Sequence, residues 1–188
     1  ANPIGGTYAV LKLKWGALPE EMLIRDAMPG LKLALGENVK RSTERYPDTR
    51  MGTVEIIRDA FLAAQDYRRQ WQTYRQQSQK NRNLIPPRTD LRLECLLNIL
   101  DHNMMIHCHA YRQDEINAMM EIGNEVGCTF DVFIHVLEGY KVAAEMKQHG
   151  AMATTFSDWW AYKMEAYDAI PFNGALMREQ GVLVSFNS

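Results

Sequence analysis

Apolar and polar positions along this chain alternate in two patterns, one typical of amphipathic helices and one typical of short buried strands. Beyond residue 103 the two patterns follow each other regularly. Strands are predicted at residues 104–109, 129–136, 151–156 and 182–187, and helices at residues 116–126, 138–149 and 172–180. Gly127, Gly150 and Gly181 end the helices, and a short apolar run follows each within two residues. Repeated helix-then-strand units of this kind predict a parallel sheet.

The first half of the chain contains one similar unit and then a long helical region. Strands are predicted at residues 7–13 and 31–35, with a helix at residues 19–28 between them. One face of a long helix is marked by Ile57, Phe61, Ala64, Tyr67, Trp71 and Tyr74. After a polar loop, residues 90–103 form a further helix. We interpret residues 37–103 as a helical insertion after the second strand of the chain.

Six predicted strands in 188 residues indicate an incomplete version of a larger architecture. A complete β/α barrel has eight units and takes about 250 residues. The last predicted strand has no helix after it to cover the sheet, and parallel strands are normally covered on both faces. We therefore expect an α/β fold, a partial TIM-type barrel cut at both ends. A doubly wound open sheet is the alternative, although the G-x-G-x-x-G motif that it often carries is absent.

Composition and charge exclude several classes of protein. An apolar fraction of 46% excludes wholesale disorder, and a net charge of −2 argues against a general polyanion binder. The chain has no run of eighteen apolar residues and no signal-peptide pattern at its start, so we expect no membrane span. Its three cysteines are too few for a disulfide framework and indicate reduced thiols. The compartment, cytoplasmic or periplasmic, stays open.

Candidate chemistry lies at the carboxyl ends of the predicted strands, where α/β proteins place functional residues. His109 and His135 end two consecutive strands. Neutral imidazole is the commonest metal ligand, and we favour a shared metal ion over two separate core histidines. Lys32 lies inside an apolar strand, where it either extends to water or points into a barrel mouth, with or without modification to a metal-binding carboxylate. We interpret His107 as a core or supporting residue.

Two further regions carry weaker signals. Basic residues between positions 65 and 92 are Arg68, Arg69, Arg75, Lys80, Arg82, Arg88 and Arg92, with aromatic residues interleaved. The aromatic residues keep helical spacing, so we favour a packing stripe beneath a solvated basic face over a nucleic-acid interface. The loop that contains Asp158, Trp159 and Lys163 follows a predicted strand. Its aromatic and charged residues suit either a substrate-binding lid or a subunit contact.

Four segments together resemble the amidohydrolase superfamily, and within it the imidazolonepropionase-related and Xaa-Pro dipeptidase-like metal-dependent hydrolases. They are GLKLALGEN at 30–38, CHAYRQDEI at 108–116, the Ile134-His135 pair and VSFNS at 184–188. The resemblance covers nearly the whole chain, taken as one domain over residues 1–188. It implies that the chain corresponds to about strands 3–8 of a (β/α)8 barrel. It also implies that Lys32 is a carboxylated lysine that binds metal, and that His109 and His135 are histidine ligands.

Two parts of the family's active site are missing from this sequence. No strand-one H-x-H pair precedes Lys32, and the family's catalytic aspartate would lie just beyond Ser188. For the parent protein the resemblance implies hydrolysis of C–N bonds in amide, cyclic amide or peptide-like substrates, with one or two divalent metal ions, preferably zinc, that activate water. For this chain alone we expect no turnover.

Contacts to partners complete the predictions. Substrate contacts are expected from Tyr111, Arg112, Asp158, Trp159 and Lys163. We also expect the protein to be a homo-oligomer, without a membrane or nucleic-acid partner. The alternative to the hydrolase is a non-catalytic binding or scaffold domain that uses the basic helix around residues 65–92 to bind nucleic acid or a protein.

Overall fold

A six-stranded sheet whose strand order follows the chain forms the centre of the computed structural model, which describes residues 2–40 and 45–187. Its strands are β1 (Ile4–Tyr8), β2 (Gly30–Ala34), β3 (Met105–Ala110), β4 (Val132–His135), β5 (Met152–Thr155) and β6 (Val184–Phe186). Neighbours from β2 to β6 are parallel, as the repeated units predicted. The closing Ser188 lies outside the described residues.

The first strand is antiparallel to β2, and this corrects the sequence prediction of a parallel first unit. The strand lies at Ile4–Tyr8 rather than at residues 7–13, and only Pro19–Met22 of the predicted helix is helical (α1). A helix of four residues rises about 6 Å, too little to carry the chain back along a strand for a parallel pairing. Instead, residues 9–29 fold back on themselves, and the Lys12 N–H donates to the Met22 carbonyl at 2.8 Å.

Five longer helices connect and cover the parallel strands. They are α2 (Arg50–Ser78), α3 (Leu91–Leu100), α4 (Gln113–Val126), α5 (Ala143–His149) and α6 (Asn173–Glu179). The Thr49 hydroxyl accepts the Gly52 N–H at the start of α2, and Gly127 ends α4 in the left-handed conformation at φ 80°. The region predicted as a helical insertion contains α2 and α3, which make the crossover from β2 to β3; residues 41–44 lie outside the described residues.

The helices cover one face of the sheet. Alternate strand residues belong to the same buried core as residues of α2 to α6; on the strands they are Leu31, Leu33, Ile106, Cys108, Ala110, Phe133 and Ala153. The opposite face of the sheet carries Lys32, His107 and His109, which are half-buried. A doubly wound sheet covers both faces with helices and reverses its strand order, so this arrangement differs from that alternative.

The aromatic stripe of α2 packs as the sequence indicated, at least over its first part. Phe61 is buried in the core, and buried Tyr67 donates a hydrogen bond to Glu94 on α3. The neighbouring basic side chains have acidic partners: Arg68 pairs with Asp101 at 2.6 Å, and Arg69 pairs with Asp66. These ion pairs neutralise part of the predicted basic face. Within the described residues, no helix combines the length and apolar character needed to cross a membrane.

Candidate functional site

The two histidines predicted as metal ligands lie side by side at the carboxyl edge of the sheet. His109 is the penultimate residue of β3, and His135 is the last residue of β4. Their ring centroids are 4.4 Å apart, with the ring planes at 74°. The structure therefore brings together the two imidazoles that the sequence placed at equivalent strand ends.

The backbone at the end of β4 explains how the His135 ring reaches His109. The sheet register pairs His135 with Ala110, whose side chain faces the helices, so a regular strand would turn His135 away from His109. His135 has φ 78° and the next residue, Val136, has φ 21°. Such values are uncommon outside glycine and cost on the order of 1–3 kcal/mol. The change of direction puts the imidazole on the face that carries His109.

Hydrogen bonds hold this strained turn in place. Buried Asn173 donates from its side-chain amide to the Val136 carbonyl at 2.6 Å and to the Thr155 hydroxyl at 2.9 Å. The same side chain accepts the Tyr140 N–H at 2.8 Å. The Thr155 hydroxyl in turn donates to the carbonyls of His135 and Val136. The start of α6 and the end of β5 therefore fix the backbone that aims His135.

Burial keeps both imidazoles neutral. It lowers the pKa of His109 to about 3, and the neighbouring His135 and Lys32 disfavour a second positive charge there. It lowers the pKa of His135 to about 4, again with a contribution from Lys32. His109 Nε2 and His135 Nδ1 are buried without a hydrogen-bond partner. Buried polar atoms normally have hydrogen-bond partners. Two neighbouring neutral imidazoles, each with a free ring nitrogen, are therefore suited to bind a ligand such as a metal ion.

Lys32 shares this face of the sheet but lies deeper than the two histidines. The register pairs it with His107, one pleat below His109. Burial lowers the pKa of the Lys32 ammonium. His107 packs against the Tyr8 ring, with centroids 4.5 Å apart. Gly30 leaves room for the tyrosine in this position, because a Cβ there would lie 2.1 Å from Tyr8 Cζ.

These residues fit part of a metal site. Across residues 2–40 and 45–187, no group of three or more His, Cys, Asp and Glu side chains is placed to hold a metal ion. A zinc site usually has at least three protein ligands. His109 and His135 can supply two nitrogens, and Lys32 can supply an oxygen only after carboxylation. The donor set suits zinc, which binds imidazole nitrogen and carboxylate oxygen.

Three of the five predicted substrate-contact residues lie in a cluster with His135. The Tyr111 ring is parallel to the His135 ring, with centroids 5.1 Å apart, and the Lys163 ammonium lies 3.9 Å from the centroid of Tyr111. The Trp159 ring is parallel to Phe156 at 3.6 Å. The other two residues lie differently. Arg112 pairs with Asp114 at 2.9 Å, and Asp158 is exposed to solvent.

A buried ionic group beside this cluster was missed by the sequence analysis. Glu165 is fully buried and accepts hydrogen bonds from Lys163 and from the Glu37 N–H, while Arg50 lies 3.5 Å from it. Arg50 also pairs with Glu115, and burial raises the pKa of that carboxyl although Arg50 opposes the shift. Charge patterning alone could not have identified the group, because its charged members are far apart in the sequence, Arg50 and Glu165 by 115 positions.

Gly36 is the one local sequence signal for this ionic group. It adopts φ 82°, and its N–H donates to the Glu115 carboxylate at 2.9 Å. A Cβ at this position would lie 2.6 Å from Glu165 Oε2. Glycine is therefore required here both by the backbone conformation and by the close approach of a carboxylate.

The fold and the histidine pair define an α/β protein with a candidate ligand site at the carboxyl ends of its parallel strands, and comparison with known proteins narrows this class. The chain matches the crystal structure of an amidohydrolase from Thermotoga maritima MSB8 with a TM-score of 0.84 and 30% identity, over 99% of this chain and 48% of that one. It is 29% identical to Amidohydrolase tasK of Hapsidospora irregularis over 164 residues, which are 81% of this chain and 16% of that protein. No protein-family model matches.

The chain is therefore homologous to part of an amidohydrolase, as its motifs predicted. It spans about half of the solved relative and about one sixth of the curated one. The predicted resemblance to amidohydrolases is thus confirmed by both relatives.

Proposed function

We propose that this chain forms part of the barrel and active site of a metal-dependent amidohydrolase that cleaves C–N bonds in amide, cyclic amide or peptide-like substrates. The observation that carries the proposal is the pair of neutral imidazoles 4.4 Å apart, each with a buried and unpartnered ring nitrogen. The strand order and the single helix-covered face support assignment of the sheet to one side of a β/α barrel.

In this proposal His109 and His135 hold a zinc ion, together with Lys32 if its amine is carboxylated. A bound metal ion polarises the scissile carbonyl and lowers the pKa of water. His109 Nε2 and His135 Nδ1 offer free lone pairs in the tautomers that carry the proton on the other ring nitrogen. The stacked rings around His135 keep bulk water from its side of the site. The proton acceptor is supplied by the rest of the protein, so this chain alone does not turn over substrate.

The test is the zinc content of the purified chain after incubation with zinc and bicarbonate. We expect about one equivalent in the original chain, because two imidazoles and a carboxylated lysine give three ligands. His109→Asn and His135→Asn are each expected to reduce the retained zinc strongly. Asparagine suits position 135 because it tolerates positive φ better than most residues.

His102→Asn provides the matched control. His102 is exposed and also has positive φ, at 57°, so this variant makes the same chemical change at the same kind of backbone position. It should retain zinc like the original chain. Retention of zinc by the His109 and His135 variants would refute the ligand assignment, as would an original chain that retains none. Lys32→Met tests the third ligand, and its zinc content should no longer depend on bicarbonate.

A further inference from the structure

The His135 imidazole is part of a set of parallel aromatic rings. Tyr111 lies at 5.1 Å from it with the planes 8° apart, and Phe156 lies at 5.4 Å with the planes 9° apart. Trp159 continues the set beyond Phe156. Hydrogen bonds from Asn173 and Thr155 hold the strained backbone of His135, and the ring contacts act on its side chain. The orientation of His135 therefore depends on what fixes Tyr111 and Phe156.

Tyr111 packs in a small buried cluster with Leu137, Phe156 and Ala166, and an ammonium group lies over its ring. Lys163 Nζ lies 3.9 Å from the centroid of the Tyr111 ring, close enough for a cation–π contact. The same nitrogen donates to Glu165 Oε1 at 2.5 Å. Lysine has a long and flexible side chain, so it stays above one ring only if its charged end is anchored. Glu165 provides that anchor.

Glu165 is itself held from two separate parts of the chain. Its Oε2 accepts the N–H of Glu37, three residues after β2, at 2.9 Å, and Arg50 at the start of α2 lies 3.5 Å away. Arg50 also pairs with Glu115 at the start of α4. Because Glu165 is fully buried, its charge is tolerated only with such partners. They join the carboxyl ends of the strands to the loop that contains Lys163.

We propose that Glu165 is a positioning residue for His135. It holds the Lys163 ammonium over Tyr111, and Tyr111 holds the His135 imidazole in the orientation that leaves its Nδ1 free. This inference rests on the proposed function only for the use of that nitrogen, since metal affinity depends on the groups that orient a ligand.

The first test is the NMR spectrum of the ring protons of His135 in chain labelled at its five histidines, with His135→Asn for assignment. Neighbouring parallel rings displace these resonances from their usual positions. We expect Glu165→Gln and Lys163→Met to move the His135 signals towards those of an unstacked histidine. Lys163→Arg should keep them in place, because a guanidinium can pair with Glu165 and stack on Tyr111. Lys163→Met also tests the proposal if Glu165→Gln does not fold.

Glu125→Gln is the matched control. Glu125 also pairs with an arginine, Arg58 at 3.0 Å, but it is 46% exposed and lies near the other end of α4. This variant should leave the His135 signals unchanged. If a folded Glu165→Gln variant is less stable but keeps the His135 signals in place, Glu165 is merely structural and the proposal is wrong.

The second test is zinc affinity, which separates this inference from the proposed function. Glu165→Gln is expected to weaken zinc binding by about 10- to 100-fold, the usual effect of removing a group that orients a metal ligand. Unchanged affinity together with unchanged His135 signals overturns the positioning role and leaves the proposed function standing. If Glu165→Gln moves the His135 signals but the original chain itself does not bind zinc, the positioning role is supported and the proposed function is refuted.

Discussion

The two faces of β3 differ in how their side chains are held. Ile106, Cys108 and Ala110 point to the helices and are fully buried among apolar side chains. Their neighbours His107 and His109 point to the other face, where rings and charged groups surround them. On the helix-covered face of this six-residue strand, burial of apolar surface stabilises the fold. On the other face, specific contacts between pairs of side chains hold the histidines in position.

This difference indicates that one face of the strand mainly determines the stability of the fold, whereas the other face mainly determines ligand binding. Side-chain direction alternates at every residue, so a change on one face leaves the other in place. Substitutions on the helix-covered face should act through packing volume. Substitutions on the histidine face should act on ligand binding and on a small number of hydrogen bonds.

The largest expected effect comes from Phe133→Ala on the helix-covered face. Phe133 is fully buried and lies parallel to Phe130 at 6.2 Å. Truncation leaves a cavity and loses apolar contact, so we expect the free energy of unfolding to fall by about 3–5 kcal/mol. Urea titration followed by circular dichroism measures it.

Two other variants, measured in the same way, compare the helix-covered face of the sheet with the histidine face. Phe172 is 71% exposed, so Phe172→Ala should change the free energy of unfolding by less than about 0.5 kcal/mol. His109→Asn should lose zinc and yet destabilise the chain less than Phe133→Ala does. A loss as large for His109→Asn as for Phe133→Ala would remove the distinction between the faces.

A smaller effect is expected at Asn173, which supports the histidine face. Removing its side chain leaves the Tyr140 N–H without its partner and takes one hydrogen bond from the Val136 carbonyl, which keeps the Thr155 hydroxyl. We expect Asn173→Ala to cost on the order of 1–3 kcal/mol, because each buried polar group keeps its desolvation penalty. The zinc content should fall as well, since Val136 follows His135 directly. Asn83→Ala at an exposed loop position serves as the control and should have no effect on either quantity.

Most of the secondary structure after residue 103 could be predicted from the sequence, because glycines at helix ends and apolar runs are local signals. The His109 and His135 pair was found for the same reason, since each ends a recognisable strand. The antiparallel β1 was not predicted, because residues 9–29 fold back through hydrogen bonds that spacing does not encode. Neither was the contact of Glu165 with Arg50, which joins positions 115 residues apart.

His149 offers a comparison between a structural histidine and the two site histidines. Its Nε2 accepts the Phe130 N–H at 3.0 Å, and its Nδ1 lies 3.2 Å from Asn124 Oδ1, so both nitrogens have partners. Burial lowers the pKa of His149 below its usual value of 6.5. The unfolded chain therefore takes up a proton at this position more readily than the folded chain does. Its stabilising contribution is complete above pH 6.5 and is lost as the pH falls below that value.

The measurement is the free energy of unfolding at several pH values between 8 and 5 for the original chain and for His149→Gln. Glutamine can accept the Phe130 N–H through its amide oxygen but does not titrate. We expect the original chain to lose more stability than the variant on acidification below about pH 6.5, the unperturbed histidine pKa. Equal losses would show that His149 titrates alike in the folded and unfolded chains.

Labelling of the cysteines tests the two faces of the strand without a substitution at the site, and we expect the smallest effect on stability from it. Cys108 lies between His107 and His109 but points to the helices and is fully buried, and burial raises the pKa of its thiol well above the usual range. Burial also raises the pKa of Cys128, to about 12. Cys95 is only half-buried.

Since the thiolate is the reactive form, a maleimide at pH 8 should label Cys95 first, and the other two only after unfolding. Mass spectrometry of peptides identifies the labelled residue, with Cys95→Ser as the control that should remain unlabelled when folded. Rapid labelling of Cys108 in the folded chain would mean that β3 does not keep its alternate side chains on separate faces.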